Sequence, residues 1–281
     1  MPAVRSDNRL VREPGARSPL FVTTFVRPGT TAETSRALLC LHGIEAHGLR
    51  FIGLARRLSG VTVVAPDLRG HGRSPKAGPW TMARHLADLE PLLESLGPRT
   101  VLLGHSYGGR IAWDLARAAP DRLAGLILVD PALVISAELA DSTRATNAAN
   151  LRWPDAQTAF SALVAARAPS AHWSVALDTA VWLEPDASGW LQPMVAAEAV
   201  DAGCEQMRVP LPESSYGGPV LLLEAAPETG LYISPVVVAQ LREQLGDRLR
   251  HVALDTPHTV PADAPDLLAR HVADFLAELD A

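Results

Sequence analysis

Only two cysteines occur in the 281 residues, Cys40 inside an apolar run and Cys204 far from it. That is too few for a disulfide framework or a thiolate zinc site. Lysine is nearly absent, since Lys76 stands alone among 25 basic residues. At a formal net charge of -6 the chain has no electrostatic footprint for a polyanion. Neither nucleic acid nor an anionic membrane is therefore expected as a partner. Long apolar runs are missing too: the longest stretch without Asp, Glu, Lys or Arg is the 13 residues from Thr229 to Leu241, too short to span a bilayer. The opening MPAVRSDNRLVREPG lacks the apolar segment of a secretion signal, so a cytoplasmic setting is expected. The expected partner is a small-molecule substrate, and the choice between monomer and homodimer stays open.

What is present is apolar residue in quantity, 48% of the chain, enough for one large core in a single α/β domain with a sizeable insertion. Short apolar runs that read as strands cover Arg9 to Arg12, Leu20 to Val26, Ala37 to Leu41, Val61 to Ala65, Thr100 to Leu103, Gly125 to Val129, Pro219 to Leu223 and Arg250 to Leu254. The first two read as an antiparallel edge hairpin. Between the runs, apolar residues at three- and four-residue spacing predict helices over Gly48 to Leu58, Thr81 to Leu96, Gly109 to Ala119, Pro235 to Leu245 and Ala264 to Leu279. This alternation predicts a mostly parallel eight-stranded sheet flanked by helices. From Pro131 to Gly218 no strand signal appears, and prolines 154, 169, 185, 193 and 210 break short helical pieces. The division is therefore residues 1–130 and 219–281 as the two parts of the core, with 131–218 as a helical lid inserted after the sixth strand.

Chemistry concentrates in TVLLGHSYGGR, residues 100–110, where a strand runs through Gly104-His105-Ser106-Tyr107-Gly108 into a helix. This is the setting of a G-x-S-x-G nucleophile elbow. The glycines flanking Ser106 at two residues' distance allow backbone segments to come too close for a Cβ. The turn holds Ser106 in strained backbone with its hydroxyl above the sheet, and the N–H of Tyr107 points to where an oxyanion would develop. A nucleotide-binding glycine loop is the competing account, but neither G-x-G-x-x-G nor G-x-x-x-x-G-K-[ST] is present.

These residues resemble the α/β-hydrolase superfamily, of the lid-bearing esterase, lactonase and haloperoxidase-like group. LCLHG at Leu39 to Gly43 is similar to the family's oxyanion strand, and DLRGHGRS at Asp67 to Ser74 to its loop after the next strand. The resemblance implies that Ile44 gives the second oxyanion N–H, beside Tyr107. It also implies that the catalytic histidine comes last in the chain, where His258 in LDTPHTVP follows the last strand while His251 and His271 lie within elements. Aligning PVLLLEAAPE on the family pattern implies Glu228 as the acid that orients His258; Asp130, at the end of the sixth strand, is its rival, and Glu224 is a lesser one. Asp130 would otherwise cap a strand end.

Glu45 and His47 are unusual so near an oxyanion site, because a carboxylate there opposes developing negative charge. Glu45 is expected either to turn to solvent or to orient a polar substrate. His42, His71, His85, His105 and His172 have no metal-ligand spacing, so neither metal nor cofactor is expected. Trp153, Trp173, Trp182 and Trp190 fall in the lid with Phe160, Met194 and Met207. Most should form the lid's own core, and some should roof Ser106 and bind substrate. The reaction expected is hydrolysis of a small, largely apolar carboxylic ester or lactone through an acyl-enzyme. Two alternatives remain: the same triad used for acyl transfer, perhydrolysis or C–C hydrolysis, and a ligand-binding receptor with little turnover. His105 stands where the C–C hydrolases tend to carry Asn, and Ser106 where dehalogenases and epoxide hydrolases need Asp.

Overall fold

A computed structural model describes residues 5–10, 20–26, 36–148, 151–167, 171–226 and 232–280. Seven of the predicted strands form where expected, β2 (Phe21–Val26), β3 (Arg36–Leu41), β4 (Val61–Pro66), β5 (Thr100–His105), β6 (Leu123–Val129), β9 (Val220–Glu224) and β10 (Leu249–Ala253), while the first, expected over Arg9 to Arg12, is β1 (Arg5–Leu10), and Val11 and Arg12 lie outside the described residues. They join in one sheet of order β1-β2-β4-β3-β5-β6-β9-β10. β1 and β2 are the antiparallel edge, and from β4 to β10 every pairing is parallel. Two further strands, β7 (Leu183–Pro185) and β8 (Leu191–Pro193), pair antiparallel inside the insertion. They correct the expectation that the interval held none, since three residues interrupted by prolines are too short for a period-two pattern to register.

The inner strands β3, β4, β5, β6 and β9 are buried on both faces, which is why they read as continuous apolar runs. Leu39, Leu41, Leu102, Leu126, Leu128 and Leu222 face one core cluster, whose helical side comes from α2 (Met82–Leu96), α3 (Tyr107–Ala118) and α8 (Pro235–Leu245). The alternate residues Leu38, Cys40, Val101, Leu103, Ile127 and Leu221 face the other, against α1 (Ile52–Ala55) and α10 (Pro265–Glu278). A short helix, α9 (Val260–Asp263), precedes α10.

Between β6 and β9 the chain forms α4 (Ala137–Ala148), α5 (Ala156–Ala165), α6 (His172–Val181) and α7 (Ala197–Arg208) around the small β7–β8 hairpin. α5 and α6 enclose their own cluster of Trp153, Ala159, Leu163 and Val175. α7 instead sends Val200, Cys204 and Met207 into the main core. The insertion is also tied to the loop after β4: Gly72 N–H donates to Met194 O at 2.7 Å and Ala196 N–H to Gly70 O at 2.8 Å. Among the described residues, no helix is long and apolar enough to cross a membrane.

Candidate active site

Parallel strands end on a common edge, so the loops that leave β3, β5, β6 and β10 meet there. Ser106 follows β5 with φ 54° and ψ -122°, a region costly for a residue with a Cβ. The glycines beside it are required: a Cβ on Gly104 would stand 2.3 Å from Gly108 O, and one on Gly108 2.3 Å from Leu41 O. Ser106 O is held by the N–H groups of Gly109 at 2.8 Å and Ala132 at 3.0 Å, which fixes the elbow from both sides.

The Ser106 hydroxyl is 3.0 Å from His258 Nε2, and His258 Nδ1 is 2.5 Å from Asp130 Oδ2. With Nδ1 donating to the carboxylate, Nε2 is left as the acceptor that faces the serine. Asp130 divides its oxygens, because Oδ1 accepts the Ala225 N–H at 3.0 Å. It therefore serves as strand-end cap and as histidine partner together, from a backbone at φ 38°. Glu228 lies outside the described residues. Glu224 accepts from His251 Nε2 at 2.7 Å, and His251 Nδ1 in turn faces Arg242 at 3.0 Å; neither residue lines the cavity over Ser106. His271 belongs to α10, as its periodicity predicts.

Three neighbours to which sequence reasoning gave no role brace the site. His105, one residue before the serine, donates from Nε2 to the His258 carbonyl at 2.9 Å. Burial, then the charge of His258, pushes its imidazole down to about 3, so it remains a neutral donor. Tyr232 lies flat on the His258 ring, centroids 3.3 Å apart at 8°. His42, quoted only as part of a motif, donates from Nδ1 to Gly43 O at 2.7 Å and accepts the Leu68 N–H on Nε2 at 2.9 Å. Desolvation holds it well below its usual pKa, which keeps Nε2 free to accept. In a trans peptide C=O and N–H point oppositely, so gripping the Gly43 carbonyl orients the Ile44 N–H of the same peptide unit. A Cβ on Gly43 would meet Ser106 Cβ at 3.1 Å, which shows how closely this peptide passes the serine. Tyr107 opens α3, where first-turn N–H groups lack an intrahelical acceptor. Its phenol donates to Gln206 Oε1 of α7 at 3.0 Å.

A cavity of about 410 Å³ opens over Ser106 and His258, of a size that suits a small molecule. Glu45 lines it, half-buried and at φ 57°, so the expectation that it turns to solvent is corrected. Burial pushes its carboxyl up to about 7. Of the four tryptophans between β6 and β9, Trp182 is on the wall. The other three, offered as candidates for substrate binding, do not line it. Trp153 is buried with Ala159, Leu163 and Val175, packed into the cluster between α5 and α6. Trp173 is 37% exposed and donates to Ala262 O at 2.8 Å, with its ring against Gly53. Trp190 is 45% exposed, beneath the Arg152 guanidinium.

The protein-family model for the alpha/beta hydrolase fold matches residues 36–187, a span that holds the elbow and Asp130. The chain belongs to the alpha/beta-hydrolase fold family. Lipase LipV of Mycobacterium tuberculosis is 31% identical over 83% of this chain and 90% of its own length. A 2-(acetamidomethylene)succinate hydrolase of Mesorhizobium japonicum is 26% identical over 85% of this chain and 87% of its own. Among solved structures, an E-2-(acetamidomethylene)succinate hydrolase superposes at TM-score 0.81 with 22% identity, over 98% of this chain and 100% of the other. A Mycobacterium tuberculosis esterase does so at 0.72 with 21% identity, over 99% and 93%. At that identity the structures speak to fold.

Proposed function

We propose that the protein is a serine hydrolase of small carboxylic esters or lactones. The observation that carries this is the chain of contacts from Ser106 Oγ to His258 Nε2 at 3.0 Å and from His258 Nδ1 to Asp130 at 2.5 Å, in a strained elbow beneath a cavity. Ser106 Oγ attacks the carbonyl carbon as His258 takes its proton, and the C–O bond to the alcohol breaks as His258 returns that proton to the departing oxygen. Water then attacks the acyl-enzyme by the same route, releasing the acid and restoring the serine proton. Asp130, rather than Glu228, fixes the tautomer and supports the imidazolium. The N–H groups of Ile44 and Tyr107 receive the oxyanion.

Two relatives named as a lipase and as a hydrolase support the hydrolytic class. The cavity's modest volume supports a small substrate, and the helices inserted after β6 act as the lid that walls it from water. The test is a fluorophosphonate probe followed by peptide mass spectrometry, together with a panel of p-nitrophenyl esters of graded acyl length. The adduct is expected on Ser106, with turnover favouring short acyl groups. Labelling of another residue, or no ester turnover at all, overturns the reading.

A further inference from the structure

The cavity wall beside Ser106 also carries two guanidiniums that the hydrolytic steps leave unused. Arg50, in the 3₁₀ turn Gly48–Phe51 that follows β3, and Arg167, just after α5, both line the cavity. They converge on one carboxylate, Asp178 of α6, which is fully buried. Asp178 Oδ2 accepts from Arg50 at 2.6 Å and from Arg167, and Oδ1 accepts from His47 Nε2 at 2.8 Å. The arginine side chains keep 11% and 21% of their surface open while Asp178 keeps none. The carboxylate thus stands behind the wall, and the cations form it.

This arrangement is expensive unless something answers it. Desolvation draws Arg50 down to about 10 despite the opposing pull of Asp178. Its Nε is buried without an acceptor among the described residues. One guanidinium and His47 would suffice to satisfy the two oxygens of Asp178, and an apolar wall would cost less against a neutral substrate. A guanidinium presents five N–H donors in a planar fork that matches a carboxylate in pairs. Other charges bear on the site as well. Glu45 lines the same cavity, but burial raises its carboxyl to about 7, so it opposes an anion only as it ionises. Asp263 also acts on Arg50, and it accepts the Thr259 hydroxyl.

We propose that Arg50 and Arg167, fixed side by side by Asp178, form a carboxylate-binding subsite, so that the preferred substrate is a small ester bearing a free carboxylate. The inference rests on the hydrolase reading above and revises the expectation of a largely apolar substrate. Phe51, Leu139, Leu163 and Trp182 still supply an apolar part of the wall for the rest of the molecule.

The test compares matched esters that differ only in one charge. Mono-p-nitrophenyl adipate against its methyl ester places the carboxylate on the acyl side, and 4-acetoxybenzoate against methyl 4-acetoxybenzoate places it on the alcohol side. Rates are corrected for spontaneous hydrolysis. In at least one pair kcat/KM should favour the anion by roughly 10-fold or more, as expected for hydrogen bonds between charged groups. The preference should reside mainly in KM and shrink as ionic strength rises. Arg167→Gln should bring the anion-to-neutral ratio towards one, and Arg167→Lys, which retains charge without the fork, should fall between. Equal or faster turnover of the neutral ester in both pairs overturns the subsite while leaving the hydrolase reading intact. A preference that survives both variants overturns the assignment to these arginines. Hydrolysis of no ester, with Ser106 unlabelled by fluorophosphonate, overturns the hydrolase reading and this inference with it.

Discussion

Asp130 reaches His258 across 128 residues of sequence and holds its Nδ1 at 2.5 Å, while its other oxygen caps the Ala225 N–H at the end of β9. The carboxylate is thereby fixed by the sheet itself and not by a free loop. Asp130→Asn keeps the shape but can turn an amide N–H₂ towards Nδ1 and favour the wrong tautomer. We expect kcat to fall by roughly 10³-fold or more, with far-UV spectrum and cooperative melting retained. Glu228→Gln should stay near the parent rate. Steady-state kinetics on the two variants decide between the acids: loss in the second and not in the first would return the role to Glu228.

Ser106 occupies its strained backbone for the sake of where its hydroxyl points. Ser106→Ala should lose about 10³-fold or more in kcat and remain folded. Ser106→Gly should be equally inactive yet more stable than the alanine variant, by about 1 kcal/mol, because glycine accepts φ 54° without a Cβ penalty. Denaturant midpoints of the two variants measure this directly. A glycine variant less stable than the alanine one would mean that the elbow is not under strain.

His42 grips the carbonyl of the Gly43–Ile44 peptide, whose N–H is proposed to receive the oxyanion. His42→Ala should free that peptide and reduce kcat by roughly 10²-fold, as for loss of one oxyanion donor, while KM changes little. Stability should also drop by about 2 kcal/mol, since the buried Leu68 N–H loses its acceptor. A change confined to KM would place His42 elsewhere in the reaction.

Glu45 gives stability a pH dependence of known sign. Its carboxyl is raised from 4.5 to about 7 by burial, so between these values the folded protein keeps a proton that the unfolded chain has released. Folding is therefore weakened as pH rises through this window, and the full penalty is present above it. Glu45→Gln should raise Tm relative to the parent at about pH 8 and leave it nearly unchanged at about pH 4. Parallel melting curves at both pH values would show that the carboxyl is solvated.

His258 was legible from its place after the last strand, and Ser106 from glycines whose positions the packing demands, because both signals are local in sequence. So were the inner strands β3, β4, β5, β6 and β9, since burial on both faces writes itself as an uninterrupted apolar run. Elements of three residues, β7 and β8, left no such pattern. The acid was not local: Asp130 and Glu228 each end or follow a strand, and only the pairing of β6 with β9, and of β9 with β10, brings Asp130 Oδ2 onto the imidazole. The tryptophans between β6 and β9 carried no mark of which faced inward, because a helix that closes on another helix and one that closes over a cavity share the same apolar spacing. The sequence by itself determined the family and pointed to Ser106 and His258 as the proposed nucleophile and base. The tertiary structure alone brought His47, Arg50, Arg167 and Asp178 together, since a cluster held by long side chains depends on distances in space that sequence separation does not encode.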